Sequence, residues 1–327
     1  VCSSDLFTHR KHIEDRLAKL NDCFLNFGSN PDQNINHLVA VCGQLLNASF
    51  ALYNCLEYNQ LVTLGKWQVP PDYPTMDSAK GRICYDVIRQ GTDESVVKQD
   101  LPNTAYAETD PNITAYNLCT YIGIAVKWNK KVMGSLCVLY QQQVEPSTED
   151  KQLLNLIASA IGVEEQRKQA QQELQDSKER FALAVEGVND GIWDCNLQTG
   201  EMYLSPRWKS MLGYNDDEIT NTFESWTQII HPDDLEQTLL SFNNYLEGKL
   251  FQYQEEFRAL HKDGTYRWLL TRGAALWDKT GKPYRIAGSH TDISERKKAE
   301  EALNSQLTAL EAATDGIALV NPAGEYF

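Results

Sequence analysis

Positive charge is scarce in this sequence. It has 30 lysines and arginines against 45 aspartates and glutamates, which gives a formal net charge of −15 at pH 7 and a pI near 4.9. Nucleic-acid binding needs clustered basic side chains that displace counterions, and the one basic run, residues 296–298, is flanked by glutamates. The composition therefore predicts no nucleic-acid partner.

Long apolar runs and paired cysteines are also missing. The longest apolar helical stretch, residues 153–163, is well short of the roughly 20 residues that cross a bilayer, and no signal peptide is visible. The eight cysteines show neither C-x-x-C nor zinc-ligand spacing, so no membrane span and no metal site are predicted. Scattered thiols in apolar runs are typical of reduced, buried cysteines, and we expect a cytoplasmic protein.

Catalytic signatures are missing too. A histidine kinase needs a helical histidine closely followed by an acidic residue, together with glycine-rich ATP-binding motifs, and none of the six histidines has that setting. A Walker loop and a Gly-Gly-Asp/Glu-Glu-Phe cyclase motif are also absent. The triplet Glu301-Ala302-Leu303 resembles the motif that names a phosphodiesterase family, but it stands alone in a charged helix. We expect no catalytic residue and no catalytic domain here.

An internal repeat with a period of about 125 residues is present. Residues 184–192 and residues 309–317 both contain Ala-x-Glu followed by Asp-Gly-Ile. We therefore expect a second copy of the domain that begins near Phe181 to start at residues 307–327, and the sequence to be a piece of a longer protein.

Each copy is preceded by a helix whose apolar or small residues alternate at spacings of three and four. This rhythm covers residues 150–184 and residues 293–310, and polar residues such as Arg167 and Ser177 weaken its seam. We predict marginal coiled coils that join two copies of the chain as a parallel homodimer and change pairing at small energetic cost. The alternative is that both helices are solvated spacers.

A first domain lies between an N-terminal stub, residues 1–9, and the first coiled coil. Residues 121–126 and 132–139 are apolar runs joined by a turn, which predicts a hairpin of buried strands. The strings Tyr-Ile-Gly-Ile-Ala-Val and Gly-Ser-Leu-Cys-Val of this hairpin resemble GAF domains, as do Cys-Tyr-Asp-Val-Ile at residues 84–88 and Gln-Asp-Leu at residues 99–101. The resemblance covers residues 10–165 and implies an α+β sensory domain.

The second domain carries a sharper set of motifs. Asp-Gly-Ile-Trp-Asp at residues 190–194, Ile-His-Pro-Asp-Asp at residues 230–234 and Gly-Ser-His-Thr-Asp at residues 288–292 resemble successive landmarks of a PAS domain with its C-terminal PAC motif. The resemblance covers residues 180–294. Turns at residues 262–265 and 278–282 independently predict three consecutive antiparallel strands. The predicted class is α+β, with two antiparallel-sheet sensory domains joined and followed by coiled-coil helices.

Two groups of residues are candidate sites in the PAS-like domain. The last strand of the PAS-like domain leads into the second linker helix, residues 293–310, which we call the exit helix. We predict that the junction between them transmits the signal, and the residues of this junction are Asp292, Ile293, Ser294, Glu295 and Arg296. Four aromatic side chains are predicted to fill the core or to line a pocket: Trp193, Trp208, Trp226 and Trp268.

No cofactor is predicted. Bilin-binding GAF domains attach the pigment to a cysteine followed by His or Tyr; Cys84 has a tyrosine after it but lies too early in the domain, and Cys119 precedes threonine. Flavin photochemistry in a PAS domain requires a helical cysteine, whereas Cys195 lies on a predicted strand. Haem requires an axial histidine in the helix that faces the sheet, and residues 242–250 contain none.

The two resemblances together imply a sensory input region. In proteins of similar layout, such a region relays a stimulus through a dimeric coiled coil to a C-terminal effector, usually a sensor histidine kinase, often a hybrid one, of a bacterial or cyanobacterial two-component system. The partners would be a second copy of the chain, the effector domain and a response regulator. Two alternatives stay open: the input region of a diguanylate cyclase or phosphodiesterase, and a protein-protein interaction scaffold without a small ligand.

Overall fold

Two antiparallel sheets organise the chain. A computed structural model describes residues 3–311, and the chain divides into two compact units between Ser177 and Lys178, within its longest helix. Within the described residues, no helix has both the length and the apolar character needed to cross a bilayer.

The N-terminal unit is built on six strands. Its elements in chain order are α1 Ser3–Leu25, α2 Pro31–Leu45, β1 Phe50–Glu57, β2 Gln60–Trp67, β3 Met76–Ser78, α3 Ile83–Gln90, β4 Val96–Lys98, a 3-10 turn Leu101–Asn103, α4 Tyr106–Thr109, α5 Pro111–Ala115, β5 Thr120–Trp128, β6 Lys131–Tyr140 and α6 Thr148–Val188. The sheet has the order β3-β2-β1-β6-β5-β4, with every neighbouring pair antiparallel.

Both faces of this sheet are covered, which explains its continuous apolar strands. Alternate residues of β6 point to opposite faces: Leu136 and Val138 enter a core shared with α1, α2 and α6, whereas Cys137 and Leu139 enter a second core that includes residues of α3. Asn30 fixes the start of α2, because its side chain accepts hydrogen bonds from the amides of Asp32 and Gln33. The predicted hairpin is β5 and β6.

The C-terminal unit is built on five strands. Its further elements are β7 Gly191–Asn196, β8 Met202–Leu204, α7 Pro206–Met211, α8 Phe223–Gln228, α9 Pro232–Leu246, β9 Tyr253–Leu260, β10 Tyr266–Trp277, β11 Pro283–Asp292 and α10 Ser294–Glu311. The sheet has the order β8-β7-β11-β10-β9 and is antiparallel throughout. The three predicted consecutive strands are β9, β10 and β11, and His231 caps α9 as its proline predicts.

These two units confirm the predicted α+β class with two antiparallel-sheet domains. The two predicted linker segments are helical: residues 150–184 lie in the 41-residue α6, and residues 294–310 lie in α10. Helix α1 begins at Ser3, inside the segment set apart as a stub. The start of a second PAS copy at residues 307–327 lies for the most part outside the described residues.

Candidate sensory cavities and transmission junction

A cavity of about 50 Å³ lies in the N-terminal unit, on the α3 side of the sheet. Its walls include Leu52 of β1, Ile83 of α3, Tyr121 of β5 and Leu139 of β6. This volume accommodates a few water-sized groups, whereas a drug-sized ligand needs on the order of 300 Å³ or more.

Arg82 is the cationic group in the wall of this cavity, which Asp77 and Asp110 also line. Its guanidinium, 7% exposed, donates hydrogen bonds to the carboxylates of Asp77 and Asp110. Asp110 also caps α5 by accepting from the amide of Asn112. Burial raises the pKa of the Asp110 carboxyl, and the Arg82 guanidinium opposes that rise. A buried arginine shared by two carboxylates ties the start of α3 to β3 and to the start of α5, and so fixes the shape of the wall.

Cys84 is the polar centre of the cavity. It is the second residue of α3, and its sulfur accepts a hydrogen bond from Asn54 Nδ2 at 3.4 Å. The Tyr121 hydroxyl lies 3.5 Å from the same sulfur, and the Cys137 sulfur on β6 lies 3.6 Å away. The cysteine considered for a bilin from sequence therefore lies in the wall of a small polar cavity, which has no room for a tetrapyrrole.

Three of the four predicted tryptophans meet in the core of the C-terminal unit. Trp193, Trp208 and Trp226 are each at most 3% exposed. Trp193 and Trp208 both contact the ring of His290, with centroids 5.9 and 6.0 Å apart, and Trp226 packs against Phe257. Trp268 does not join them. It is half-buried on the opposite sheet face, because it alternates with the fully buried Leu269.

Two facing glycines make room for Trp193. Gly273 on β10 pairs with Gly288 on β11, and a Cβ atom added at either would lie within 3.0 Å of the indole ring. The indole therefore lies directly on the backbone of two strands. The glycines are a sequence signal for a large ring on this face, although they do not tell which ring it is.

His290 on β11 is the buried titratable group of this core, at 1% exposure. Trp208 Nε1 donates a hydrogen bond to His290 Nδ1. An indole N–H can only donate, so Nδ1 carries no proton and the neutral ring is protonated on Nε2, for which no hydrogen-bond partner is present among the described residues. Burial lowers the pKa of His290 to about 3. Sequence analysis placed this residue before the exit helix and did not identify its burial.

Little open space remains in the core of the C-terminal unit. The cavity between the sheet and α8 and α9 measures about 10 Å³, and Trp226, Phe242 and Tyr253 are among the side chains that fill the surrounding space. Cys195, the one cysteine of the sequence after residue 177, lies on β7 rather than on a helix. The ring system of a flavin would have to displace several aromatic side chains.

The predicted transmission residues form the junction between β11 and α10. Asp292 caps the helix by accepting from the amide of Ser294 at 2.9 Å. Ser294 and Ile293 are both held to Trp268 of β10: the Trp268 amide donates to Ser294 Oγ at 3.0 Å, and the Ile293 amide donates to the Trp268 carbonyl at 2.9 Å. A change in the register of β10 would therefore act directly on the first turn of α10.

Glu256 on β9 completes this junction, and sequence analysis missed it. Its carboxylate accepts from Arg296 and, at 2.7 Å, from Lys297. These two cations lower the pKa of Glu256, with Lys297 the larger cause. The Lys297 ammonium also lies 4.9 Å from the centre of the Trp268 ring. Trp268 thus belongs to the junction rather than to the core, and the exit helix is clamped to two strands. Glu295, by contrast, pairs with Lys298 on the helix surface.

Helix α6 has two distinct apolar faces. Leu154, Ile157 and Ile161 are fully buried in the core of the N-terminal unit. Four apolar members of the predicted coiled-coil seam are exposed by 46 to 65%: Leu156, Val163, Leu174 and Phe181. Leu153 and Ala160, which belong to the same predicted seam, pack instead against the core. On α10, Leu303, Leu307 and Leu310 are exposed in the same three-and-four spacing.

Comparison with known proteins gives matches to both units. The family model described as "PAS fold" matches residues 201–290. A blue-light-activated histidine kinase of Brucella canis is 28% identical over 231 residues, which cover 68% of this chain and 44% of the kinase. The chain therefore spans less than half the length of this relative.

Solved structures of both domain types are similar to the chain. A sensory box histidine kinase/response regulator from Burkholderia thailandensis E264 is 40% identical, covering 41% of this chain and 99% of that chain with a TM-score of 0.37. The GAF domain from an Acinetobacter phosphoenolpyruvate-protein phosphotransferase is 13% identical, covering 52% of this chain and 97% of that chain with a TM-score of 0.37.

The match to the PAS family model lies in the C-terminal unit, as predicted, and this unit follows the one that was predicted to be GAF-like. The chain is thus similar to the PAS fold family over residues 201–290 and to a blue-light-activated histidine kinase over two thirds of its length.

Proposed function

We propose that this chain is the input region of a sensor histidine kinase, in which a GAF-like domain (residues 10–165) and a PAS domain (residues 180–294) bias a parallel dimeric coiled coil. In this proposal, the whole protein also carries the kinase domain and its phosphate-accepting histidine, and it passes the phosphate to a response regulator. The curated relatives, which are histidine kinases, support this assignment. The free, mostly buried thiols support a cytoplasmic location.

The clamp on the exit helix is the observation that carries the proposal. Glu256 holds Arg296 and Lys297, while Trp268 holds Ile293 and Ser294 through its backbone. The first turn of α10 is therefore attached to β9 and β10, the strands that line the domain core on their other face. A stimulus that shifts these strands would tilt or rotate α10, and a helix in a marginal coiled coil responds to such a bias at small energetic cost.

The exposed seams support a second copy of the chain as the partner. Leucine, valine and phenylalanine side chains repeat at heptad spacing on α6 and remain 46 to 65% exposed in the single chain. Their burial between two parallel helices would remove this apolar surface from water.

We further propose that the PAS domain works without a flavin, although the relatives are named as blue-light-activated. The aromatic packing around Trp193 and Trp226 and the position of Cys195 support this. The purified chain should show no absorption band near 450 nm; a yellow protein with bound flavin would overturn this part of the proposal.

The test of the whole proposal is autophosphorylation. The complete gene product that contains this chain should label itself with radioactive ATP at a histidine, and Glu256→Gln should change the rate of labelling. Glu301→Gln, which alters an exposed glutamate of α10 outside the clamp, is the matched control and should leave the rate unchanged.

Each other outcome has a definite meaning. A gene product that synthesises or hydrolyses a cyclic dinucleotide and does not phosphorylate itself would overturn the kinase assignment and favour the cyclase or phosphodiesterase alternative. Equal rates for both variants would overturn the role of the Glu256 clamp. Labelling that is the same in monomeric and dimeric preparations would contradict the coiled-coil relay.

A further inference from the structure

Two thiols face each other across the cavity of the N-terminal unit. The sulfur atoms of Cys84 on α3 and Cys137 on β6 are 3.6 Å apart, although 53 positions separate them in the sequence. Cys137 is fully buried, whereas Cys84 is partly accessible, and both line the cavity of about 50 Å³. A molecule the size of hydrogen peroxide fits in that space.

The surroundings of Cys84 favour its thiolate. Asn54 Nδ2 donates to its sulfur, the Tyr121 hydroxyl lies 3.5 Å away, and the sulfur sits in the first turn of α3, where helix amides stabilise negative charge. Hydrogen bonding, first of all from the Cys137 thiol, lowers the pKa of Cys84. The same contact and burial raise the pKa of Cys137 well above its ordinary value. The pair therefore loses its first proton at Cys84 and keeps the second on Cys137.

We propose that Cys84 and Cys137 form a peroxide-reactive dithiol that closes to a disulfide across the cavity. The Cys84 thiolate attacks one oxygen of hydrogen peroxide and breaks the O–O bond, which leaves a sulfenic acid on Cys84 and, after protonation, releases one water. The Cys137 sulfur then attacks the Cys84 sulfur, its proton leaves with the departing hydroxyl as a second water, and the S–S bond forms. The two thiols lose two electrons and the peroxide gains them.

The geometry requires little movement. The sulfurs must approach from 3.6 Å to about 2.05 Å, which a side-chain rotation together with a small shift of the first turn of α3 can supply. The bond would fasten α3 to β6, the central strand against which the helix packs. Oxidation would therefore hold the cavity wall in one position, independently of which effector the whole protein carries.

The other described cysteines lack this combination. Cys42 is fully buried in the opposite core, and burial strongly raises its pKa. Burial also raises the pKa of Cys23, Cys55 and Cys195. The half-buried Cys119 has a backbone carbonyl oxygen, that of Asn117 at 3.9 Å, rather than a second thiol beside its sulfur. A modest excess of peroxide should therefore oxidise the Cys84 and Cys137 pair first.

Peptide mapping of the folded chain tests the proposal directly. After peroxide treatment, alkylation and digestion with trypsin, Cys84 lies in the peptide of residues 83–89 and Cys137 in that of residues 132–151, each with a single cysteine. We expect a cross-linked product of these two peptides, the loss of two alkylatable thiols per chain, and their return on treatment with dithiothreitol. Recovery of both peptides singly, with other cysteines oxidised instead, would overturn the proposal.

Single variants separate the two roles. Cys137→Ser should leave a sulfenic acid on Cys84 that dimedone traps, whereas Cys84→Ser should leave Cys137 unreacted. Cys42→Ser is the matched control and should still give the cross-linked peptide. Trapping on Cys137 in the Cys84→Ser chain would refute the assigned order of attack. The mapping of the unaltered chain decides the proposal even where a variant fails to fold.

Discussion

Removal of the buried histidine should change how the PAS domain responds to acid. The pKa of His290 is about 3 in the folded domain, because burial disfavours its charged form, against about 6.5 in an unfolded chain. Between these values the unfolded state binds a proton that the folded state does not bind. His290 should therefore leave the free energy of unfolding unchanged above pH 6.5. As the pH drops from 6.5 toward 3, the burial of this residue should lower the free energy of unfolding progressively.

The size of this effect follows from the difference in pKa. pH 5 lies 1.5 units below the pKa of the unfolded histidine. At about 1.4 kcal/mol per unit, the free energy of unfolding of the domain is therefore ~2 kcal/mol lower at pH 5 than at pH 7.5. His290→Gln keeps an oxygen that accepts from Trp208 and removes the titrating ring. The variant should be less stable than the original chain at pH 7.5. Between pH 7.5 and pH 5, however, the variant should lose ~2 kcal/mol less stability than the original chain loses.

Urea unfolding followed by tryptophan fluorescence measures this, because five of the seven tryptophans lie after residue 177. Trp208→Phe is the control: it removes the hydrogen-bond donor, leaves the histidine in place, and should lower stability at every pH while the acid sensitivity remains. If His290→Gln and the original chain lose the same stability between pH 7.5 and pH 5, the ring is not held neutral in the core and the reasoning is wrong.

Three further perturbations test the junction, the seam and the cavity wall. Glu256→Gln should weaken the partly exposed clamp by ~1 kcal/mol or less and speed amide hydrogen exchange in the first turn of α10 up to about fivefold; unchanged exchange would contradict the clamp. Phe181→Asp should raise the dimer dissociation constant at least about tenfold in sedimentation, whereas the off-seam control Ala182→Asp should not. Arg82→Met leaves two carboxylates without their cation and should destabilise the N-terminal unit by ~3–5 kcal/mol, against ~0.5 kcal/mol for the exposed Arg89→Met; equal losses would refute the ion triad.

Local patterns predicted the elements well. The hairpin of β5 and β6, the three strands β9 to β11 and the proline start of α9 each follow from turn residues and apolar periodicity that lie within a few positions of one another. The seam on α6 was also visible as a heptad pattern, and four of its large apolar residues are exposed, whereas Leu153 packs against the core. The same helix carries a second apolar face that packs on the sheet, which the heptad alone did not separate from the seam.

The sequence also placed residues 292–296 at the junction of the last strand and the exit helix, but it did not indicate their partners. Asp292 and Ser294 were found because a cap is a local motif. Glu256 lies 40 positions before Arg296 and resembles any other strand glutamate until the register of β9 against β10 sets it beneath the exit helix. Trp268 was grouped with the core tryptophans because aromatic residues often fill cores, and only its alternation with Leu269 in the folded sheet places it on the outer face.

Patterns between near neighbours in the chain were enough to predict the order of the two domains, the strands and turns within each, and the helices that follow them. Tertiary structure alone decided which distant side chains meet: the Arg82 triad, the Cys84 and Cys137 pair, and His290 beneath Trp208. Periodicity assigns a side chain to a face of its own element, but the groups that it meets there depend on strand register and packing. Strand register and packing therefore decide whether a polar side chain is solvated or is buried beside a specific partner.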